Sequence, residues 1–303
     1  MRSFRLDLPG VAMAAIMLAG LLWPTPPSSH ARSLQEIKAS GEIRICIAPI
    51  LPAYAVLLDP DCRDDCRFSG PIYRETVAFV RHMESTLRPV FRPVDWDEHF
   101  HDWAGQTDRD AAYTPHLLST GRCDLYSSHL TKNDWRLKKV DFAILFPSRM
   151  MVIINHSRKD VLKSADDLAG KTAAVEKNTS YHTWLMQQNE TTFSRNPVVI
   201  KLMSTEESLH ATEKGDVDFT LVDADVALWR ASHTFRNVDV AFPVGLEDEI
   251  GWAFRKEDRD LRDAVQDFFD VQASDDASEL NQIWKEEFGV TLPQFKALIH
   301  ATK

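Results

Sequence analysis

The chain has 303 residues, with 35 basic side chains against 45 acidic ones, a formal net charge of −10 and 44% hydrophobic residues. That acidic balance argues against nucleic acid and anionic membrane surfaces as partners, because both repel such a chain. The length exceeds one average domain, and the apolar content suffices for two cores.

Arg2 and Arg5 precede an apolar run from Val11 to Trp23, and a polar stretch then ends in Ser29-His30-Ala31. This is the pattern of a secretory signal peptide, 1–31, with the cut expected after Ala31. The run is short for a membrane span, and no later run is apolar enough to cross a bilayer. The mature chain is therefore expected in the periplasm. No cysteine follows the cut, so no lipid anchor is expected.

The mature chain opens with a short helix from Ser33, ended by Gly41, and a strand from Ile43. Four cysteines in an exported chain point to disulfides. Cys62 and Cys66 share a polar loop, Asp59 to Arg67, and are expected to be bridged. A zinc site there is the weaker alternative, since no CxxC or CxH spacing accompanies them. Cys46 and Cys123 fall on apolar strands and are either buried free thiols or a second bridge.

Pro71 suits the first position of a helix in which Ile72, Thr76, Phe79, Val80, Met83 and Leu87 share a face, with Pro89 ending it. Strand patterns follow at 90–94, 123–127, 150–155, 171–176, 198–202, 218–223 and 250–255. Helical patterns fill most gaps, and three helices follow Arg259. This alternation predicts parallel sheets flanked by helices, the α/β class. Residues 97–116 break the rhythm and read as a solvated surface insertion. His99 and His101 offer a metal pair there, but spacing supplies no third ligand.

The chain contains no GxSxG elbow, HExxH, P-loop or GxGxxG, so no residue carries an enzymatic claim. Three polar clusters stand out instead, each read as lying after a strand and before a helix, where free backbone amides attract carboxylates. In the first, Asp124 to Arg136, the strand is expected to end at Ser127. Ser128, Thr131 and Arg136 then either converge on a ligand, with Arg136 gripping a carboxylate, or serve as a helix cap and a surface ion pair. In the second, Asn178 suits a left-handed turn, and Thr179 and Ser180 cap a helix whose amides form an anion grip. The third places Asp223 at the end of a buried strand, where it either meets a ligand ammonium group or caps the helix that follows.

These clusters, in this order, resemble the bacterial extracellular solute-binding proteins of family 3, the polar amino acid receptors of ABC importers. The resemblance runs from Leu34-Gln-Glu-Ile-Lys through Gly121-Arg-Cys-Asp-Leu, Arg136-Leu-Lys-Lys-Val-Asp-Phe142, Asp166-Asp-Leu-Ala-Gly-Lys171 and Gly215-Asp-Val-Asp to Ile283-Trp-Lys-Glu-Glu-Phe-Gly289. It implies a type II periplasmic binding protein, with two α/β lobes joined by two crossing hinge strands: lobe one from 32–147 and 243–303, lobe two from 148–242. It further implies a monomer that closes on a small polar ligand, an amino acid, and passes it to a membrane ABC permease or to a sensor, without a cofactor, a metal or catalysis.

Carried over by position, Arg136 is the carboxylate clamp with Thr131 beside it, and Ser128 offers oxygen to the amino group. Thr179 and Ser180 grip the carboxylate from the other lobe, Asp223 takes the ammonium, and Tyr54 covers the ligand. The family's acidic residue before its first long helix is absent at Gly70-Pro71-Ile72, which disfavours a strongly basic ligand, and its second-lobe glycine is Asn178. The insertions leave a sensory or regulatory module, or an exported metal-dependent accessory protein, as alternatives. An enzyme reading, as a relative of the murein lytic transglycosylases that carry this fold as a regulatory domain, requires a further catalytic domain. The expectation is that the fold completes at Lys303 without one.

Overall fold

The computed structural model describes residues 30–232 and 236–301. Positions 1–29 of the segment read as a signal peptide lie outside the described residues. Among those residues no helix is long and apolar enough to cross a membrane.

Ser33 opens helix α1 (Leu34–Ser40) with a capping box to Glu36, and Gly41 at φ 70° closes it. Strand β1 (Glu42–Ile47) follows, then the short pair β2 (Val56–Leu57) and β3 (Phe68–Ser69). Helix α2 (Pro71–Met83) starts on proline as expected but ends at Met83, before Leu87. The Leu87 amide instead donates to the Glu84 carbonyl in a turn that leads into β4 (Arg88–Pro93). Next come α3 (His116–Ser119), β5 (Leu125–Lys132), α4 (Asp134–Leu137) and the long β6 (Asp141–Asn155). They are followed by β7 (Thr172–Val175), α5 (Ser180–Glu190), β8 (Val199–Leu202), α6 (Thr205–Lys214), β9 (Phe219–Asp223) and α7 (Ala224–Ser232). The chain then returns through the long β10 (Val238–Phe254) to α8 (Arg259–Ala273), α9 (Glu279–Phe288) and α10 (Leu292–Ala301).

The main sheet has the order β4-β1-β5-β10-β6-β9-β7-β8. β1 lies parallel to β4 and β5 on one side, and β7 lies parallel to β8 and β9 on the other. Between them β6 and β10 run antiparallel along their whole lengths and join the two halves. Both were expected as shorter strands, at 150–155 and 250–255, without the stretches that hold Pro147 and Gly245. The structure keeps both residues within the strands: Pro147 pairs in register with Glu249, and the pairing shifts between Val244 and Asp248 to absorb the extra residues. At Gly251 the two strands approach so closely that a Cβ would stand 2.0 Å from the Ala143 carbonyl oxygen, which only glycine permits.

Both cysteine pairs are bridged. Cys46–Cys123 (Cα–Cα 5.6 Å) ties β1 to the segment before β5 inside an apolar cluster, so these are not free thiols. Cys62–Cys66 (Cα–Cα 5.8 Å) closes a ring against the sheet edge. There the Cys66 amide donates to the Phe91 carbonyl at 2.8 Å, while Asp64 and Asp65 pair with Arg92 and Arg88 of β4. Covering an edge strand in this way blocks its pairing with another chain. With its cysteines 77 positions apart, the first bridge constrains the unfolded chain by about 4–5 kcal/mol, against about 2 kcal/mol for the second, whose cysteines are four apart.

Residues 97–116 are not a solvated loop at their base. His99 is fully buried and Phe100 nearly so, the latter packed edge-on against Trp135. The sequence hides this because two apolar anchors among many polar residues give no periodicity.

Candidate functional site

Where the two halves face each other across β6 and β10, a small cavity is bounded from both sides. Ile50, Leu51, Tyr54, Trp96 and Thr131 come from the first half, and Thr179, Ser180, Tyr181, Thr205, Asp223 and Val226 from the second. Its volume is about 10 Å³, room for roughly one water, so a larger ligand enters only if the halves part.

The first polar cluster is built differently from the expectation. β5 continues to Lys132, so Ser128, His129 and Thr131 lie on the strand and not on the turn after it. Asn133 caps the four-residue α4, its side chain accepting from the Arg136 amide at 3.1 Å, and that short helix turns Arg136 inward. Arg136 is fully buried. Its guanidinium lies over the rings of Trp96, Phe100 and Trp135 at 5.1–5.5 Å. It donates to the Thr131 carbonyl at 2.7 Å and to the Asn178 carbonyl at 3.4 Å, while Nε has no partner among the described residues. Burial pulls its pKa down to about 10, with Arg109 adding repulsion.

On the opposite wall Asp223 closes β9. One oxygen accepts from the Tyr181 hydroxyl at 2.7 Å, and the other has no partner among the described residues. Burial raises the Asp223 carboxyl well above the usual range, and Asp225 adds to this. Asp248, in the β10 bulge, is raised to about 6 by burial, against the pull of Arg136. A cation and carboxylates thus share one buried region with polar atoms left unsatisfied, an arrangement that a zwitterion would complete.

Asn178 adopts φ 64°, the left-handed turn its residue type allows. Thr179 then caps α5, its hydroxyl oxygen accepting from the His182 amide at 3.2 Å. Thr131 donates to Ser180 across the gap at 3.3 Å. Of the seven positions named from the sequence, Tyr54, Thr131, Thr179, Ser180 and Asp223 line the cavity, and Arg136 stands behind Thr131. Ser128 does not: its oxygen accepts from the Ala48 amide at 3.0 Å and bonds His99 Nε2 at 2.8 Å. With His99 Nδ1 on the Trp96 carbonyl at 2.9 Å, that imidazole is neutral, and burial lowers its pKa to about 4. Both nitrogens are engaged, and His101 turns instead to Asp97 at 3.4 Å, so the two histidines do not form a metal pair.

Behind Tyr54 lies a cluster that the sequence reading missed. His129, at φ 50°, places Nε2 2.7 Å from Glu75 and Nδ1 3.6 Å from Asp225, with all three side chains fully buried. Glu75 also accepts from the Trp284 indole at 2.8 Å. Burial disfavours the cation, yet the two carboxylates overcome it and lift His129 to about 9. Trp96, Tyr181, Thr205 and Val226 were also missed as cavity residues. Tyr181 was within reach, since it directly follows Thr179 and Ser180.

No family model matches the chain. It is 28% identical over 153 residues to the membrane-bound lytic murein transglycosylase F of Desulfosudis oleivorans, covering 50% of this chain and 34% of that protein. It is 28% identical over 173 residues to the L-cystine-binding protein TcyJ of Escherichia coli K12, covering 55% of this chain and 62% of that one. The chain thus spans less than two thirds of the length of these curated relatives. Among solved structures, Tv2483 bound to L-arginine superposes with a TM-score of 0.68 at 17% identity, covering 87% of this chain and 97% of that one. The fold is that of the type II periplasmic binding proteins: two α/β lobes joined by two crossing strands.

Proposed function

We propose that the chain is an exported, monomeric solute-binding protein of the periplasm that closes on an amino acid and presents it to an ABC importer. The observation that carries this is Asp223 in one wall of the cavity and Arg136 directly behind Thr131 of the other, each with a buried polar atom left unsatisfied among the described residues. In this reading Arg136 clamps the ligand carboxylate and Asp223 takes its ammonium group. Thr131, Thr179 and Ser180 add hydrogen bonds, and Tyr54 closes over the ligand. Lobe one comprises 32–147 and 243–303, lobe two 148–242, and β6 and β10 are the hinge through which closure reaches a membrane partner. Glu75, already held by His129 and Trp284, leaves no free acid at the start of α2 for a basic side chain. That favours a zwitterionic ligand without net charge, such as the L-cystine bound by TcyJ.

A thermal-shift screen of the common amino acids and L-cystine tests the proposal, because a ligand that binds only the native state raises the melting temperature. The expected result is a clear shift with one of them. Calorimetric titration should then show Arg136→Met weakening that ligand by about 30-fold or more, the loss of a charge-assisted grip worth about 2–5 kcal/mol. Binding within threefold of the wild type would overturn the clamp. The similarity to transglycosylase F favours a second reading, a regulatory or sensory binding module. Ligand binding is common to both readings, and peptidoglycan turnover that responds to the ligand would select the second.

A further inference from the structure

The base of the 97–116 insertion is stiff. The Tyr113 hydroxyl donates to the Phe100 carbonyl at 2.6 Å, the His116 amide to the His101 carbonyl at 2.9 Å, and Lys139 Nζ to the Ala111 carbonyl at 2.6 Å. From this base two side chains cross to the other lobe. Asp97 accepts from the Asn178 side-chain amide. Half-buried Arg109 donates through Nε to Asn178 Oδ1 at 3.0 Å and through Nη1 to the Thr183 hydroxyl at 2.9 Å. Its guanidinium rests over Trp135 at 5.1 Å, the ring that also carries Arg136 at 5.3 Å. The residue so gripped is a sensitive one. The Asn178 carbonyl receives Arg136 Nη2, and Thr179 and Ser180, which line the cavity, follow directly.

We infer that Arg109 is a positioning residue for ligand binding. The insertion is an arm of the first lobe whose Arg109 and Asp97 seize Asn178, set the 178–180 loop against Arg136 and hold the cleft shut. Arg109 itself does not line the cavity and acts through Asn178 and Thr183. The two hydrogen bonds from one planar guanidinium reach partners on successive turns of the lobe-two chain, which fixes orientation as well as distance. This deepens the ligand-binding reading and rests on it for its consequence, but its test requires no ligand, so an empty screen and a failed arm remain distinguishable.

Hydrogen exchange of the ligand-free mature protein reads the arm directly. Arg109→Ala should speed exchange of the amides of residues 178–183 at least about tenfold while leaving β1 and β9 unchanged. Thr183→Val, which keeps shape but removes both the acceptor for Arg109 and the hydroxyl's own bond to the Thr179 carbonyl at 3.0 Å, should speed the same amides about two- to fivefold. The double variant should speed exchange by less than the product of the two single effects, because both changes cut the Arg109–Thr183 link. Arg109→Lys, retaining one donor, should fall between the wild type and Arg109→Ala. Unchanged exchange at 178–183 in Arg109→Ala, or additive effects in the double variant, would overturn the inference. If Arg109→Ala loosens the whole chain, Arg109→Met, which keeps an apolar stem beside Trp135, decides alone, and an unchanged rate at 178–183 there overturns it.

Discussion

Two buried charge clusters lie on either side of Tyr54, built from similar parts and left in different states. Behind it, His129 stands between Glu75 and Asp225, with Trp284 completing the hydrogen bonding of Glu75. In front, Asp223 lines the cavity and Arg136 stands behind Thr131 of the other wall, and the guanidinium rests on aromatic rings and carbonyls with no ion-pair partner among the described residues. The first cluster pairs its charges, although His129 Nδ1 and both Asp225 oxygens make no hydrogen bond among the described residues, and it acts as a joint between α2, β5, α7 and α9. The second leaves its charges without an ion-pair partner among the described residues, and a buried unpaired charge is what a zwitterionic ligand repairs. Pairing, more than burial, separates a structural ion cluster from a recognition site.

The largest effect expected from breaking this contrast is on the first cluster. Glu75→Ala strands a buried imidazolium with one partner at 3.6 Å, and should cost about 3–5 kcal/mol of stability in urea unfolding. A loss below about 1 kcal/mol would mean that the cluster holds nothing together.

Next in size is the pH dependence, where His129 and His99 pull in opposite directions. The folded pKa of His129, about 9, lies above the ordinary 6.5. Its contribution is therefore complete below about pH 6.5 and is lost as pH rises through about 9. The folded pKa of His99, about 4, lies below the ordinary value. The unfolded chain takes up that proton first, so this contribution is present above about pH 6.5 and lost as pH falls through about 4. Urea midpoints between about pH 4 and pH 10 should fall on both sides of a maximum near neutrality. His129→Gln should flatten the alkaline limb, and His99→Gln the acid limb.

The smallest expected effect is at the second cluster. Arg136→Met keeps the apolar stem among Trp96, Phe100 and Trp135 and removes a charge that burial disfavours, so stability should stay within about 1 kcal/mol of the wild type or rise. A loss comparable to that of Glu75→Ala would show that Arg136 belongs to the scaffold.

Much of the second-lobe site was legible because its signals are local. Asn178 in a left-handed turn and Thr179 as a cap are dictated by a few neighbouring residues, and Asp223 ends a strand whose pattern is plain. The first-lobe side was less so. Ser128 lies on β5 in the expected neighbourhood of Arg136, yet its hydroxyl serves Ala48 and His99, because strand alternation and not spacing decides which face a side chain takes. The length of β6 and β10 was concealed by Pro147 and Gly245, which a bulged antiparallel pair tolerates.

By itself the sequence determined the α/β class, the order of most elements and the caps, since periodicity and turn chemistry act within a few residues of the chain. It also carried the family resemblance and most of the cavity's polar side chains. Only the tertiary structure decided the Cys46–Cys123 bridge, the His129 cluster and the reach of Arg109 to Asn178. Those depend on residues 54 to 96 positions apart meeting at one place, and the free energy of burying a charge or a thiol depends on which partners arrive there, a quantity that no local pattern encodes.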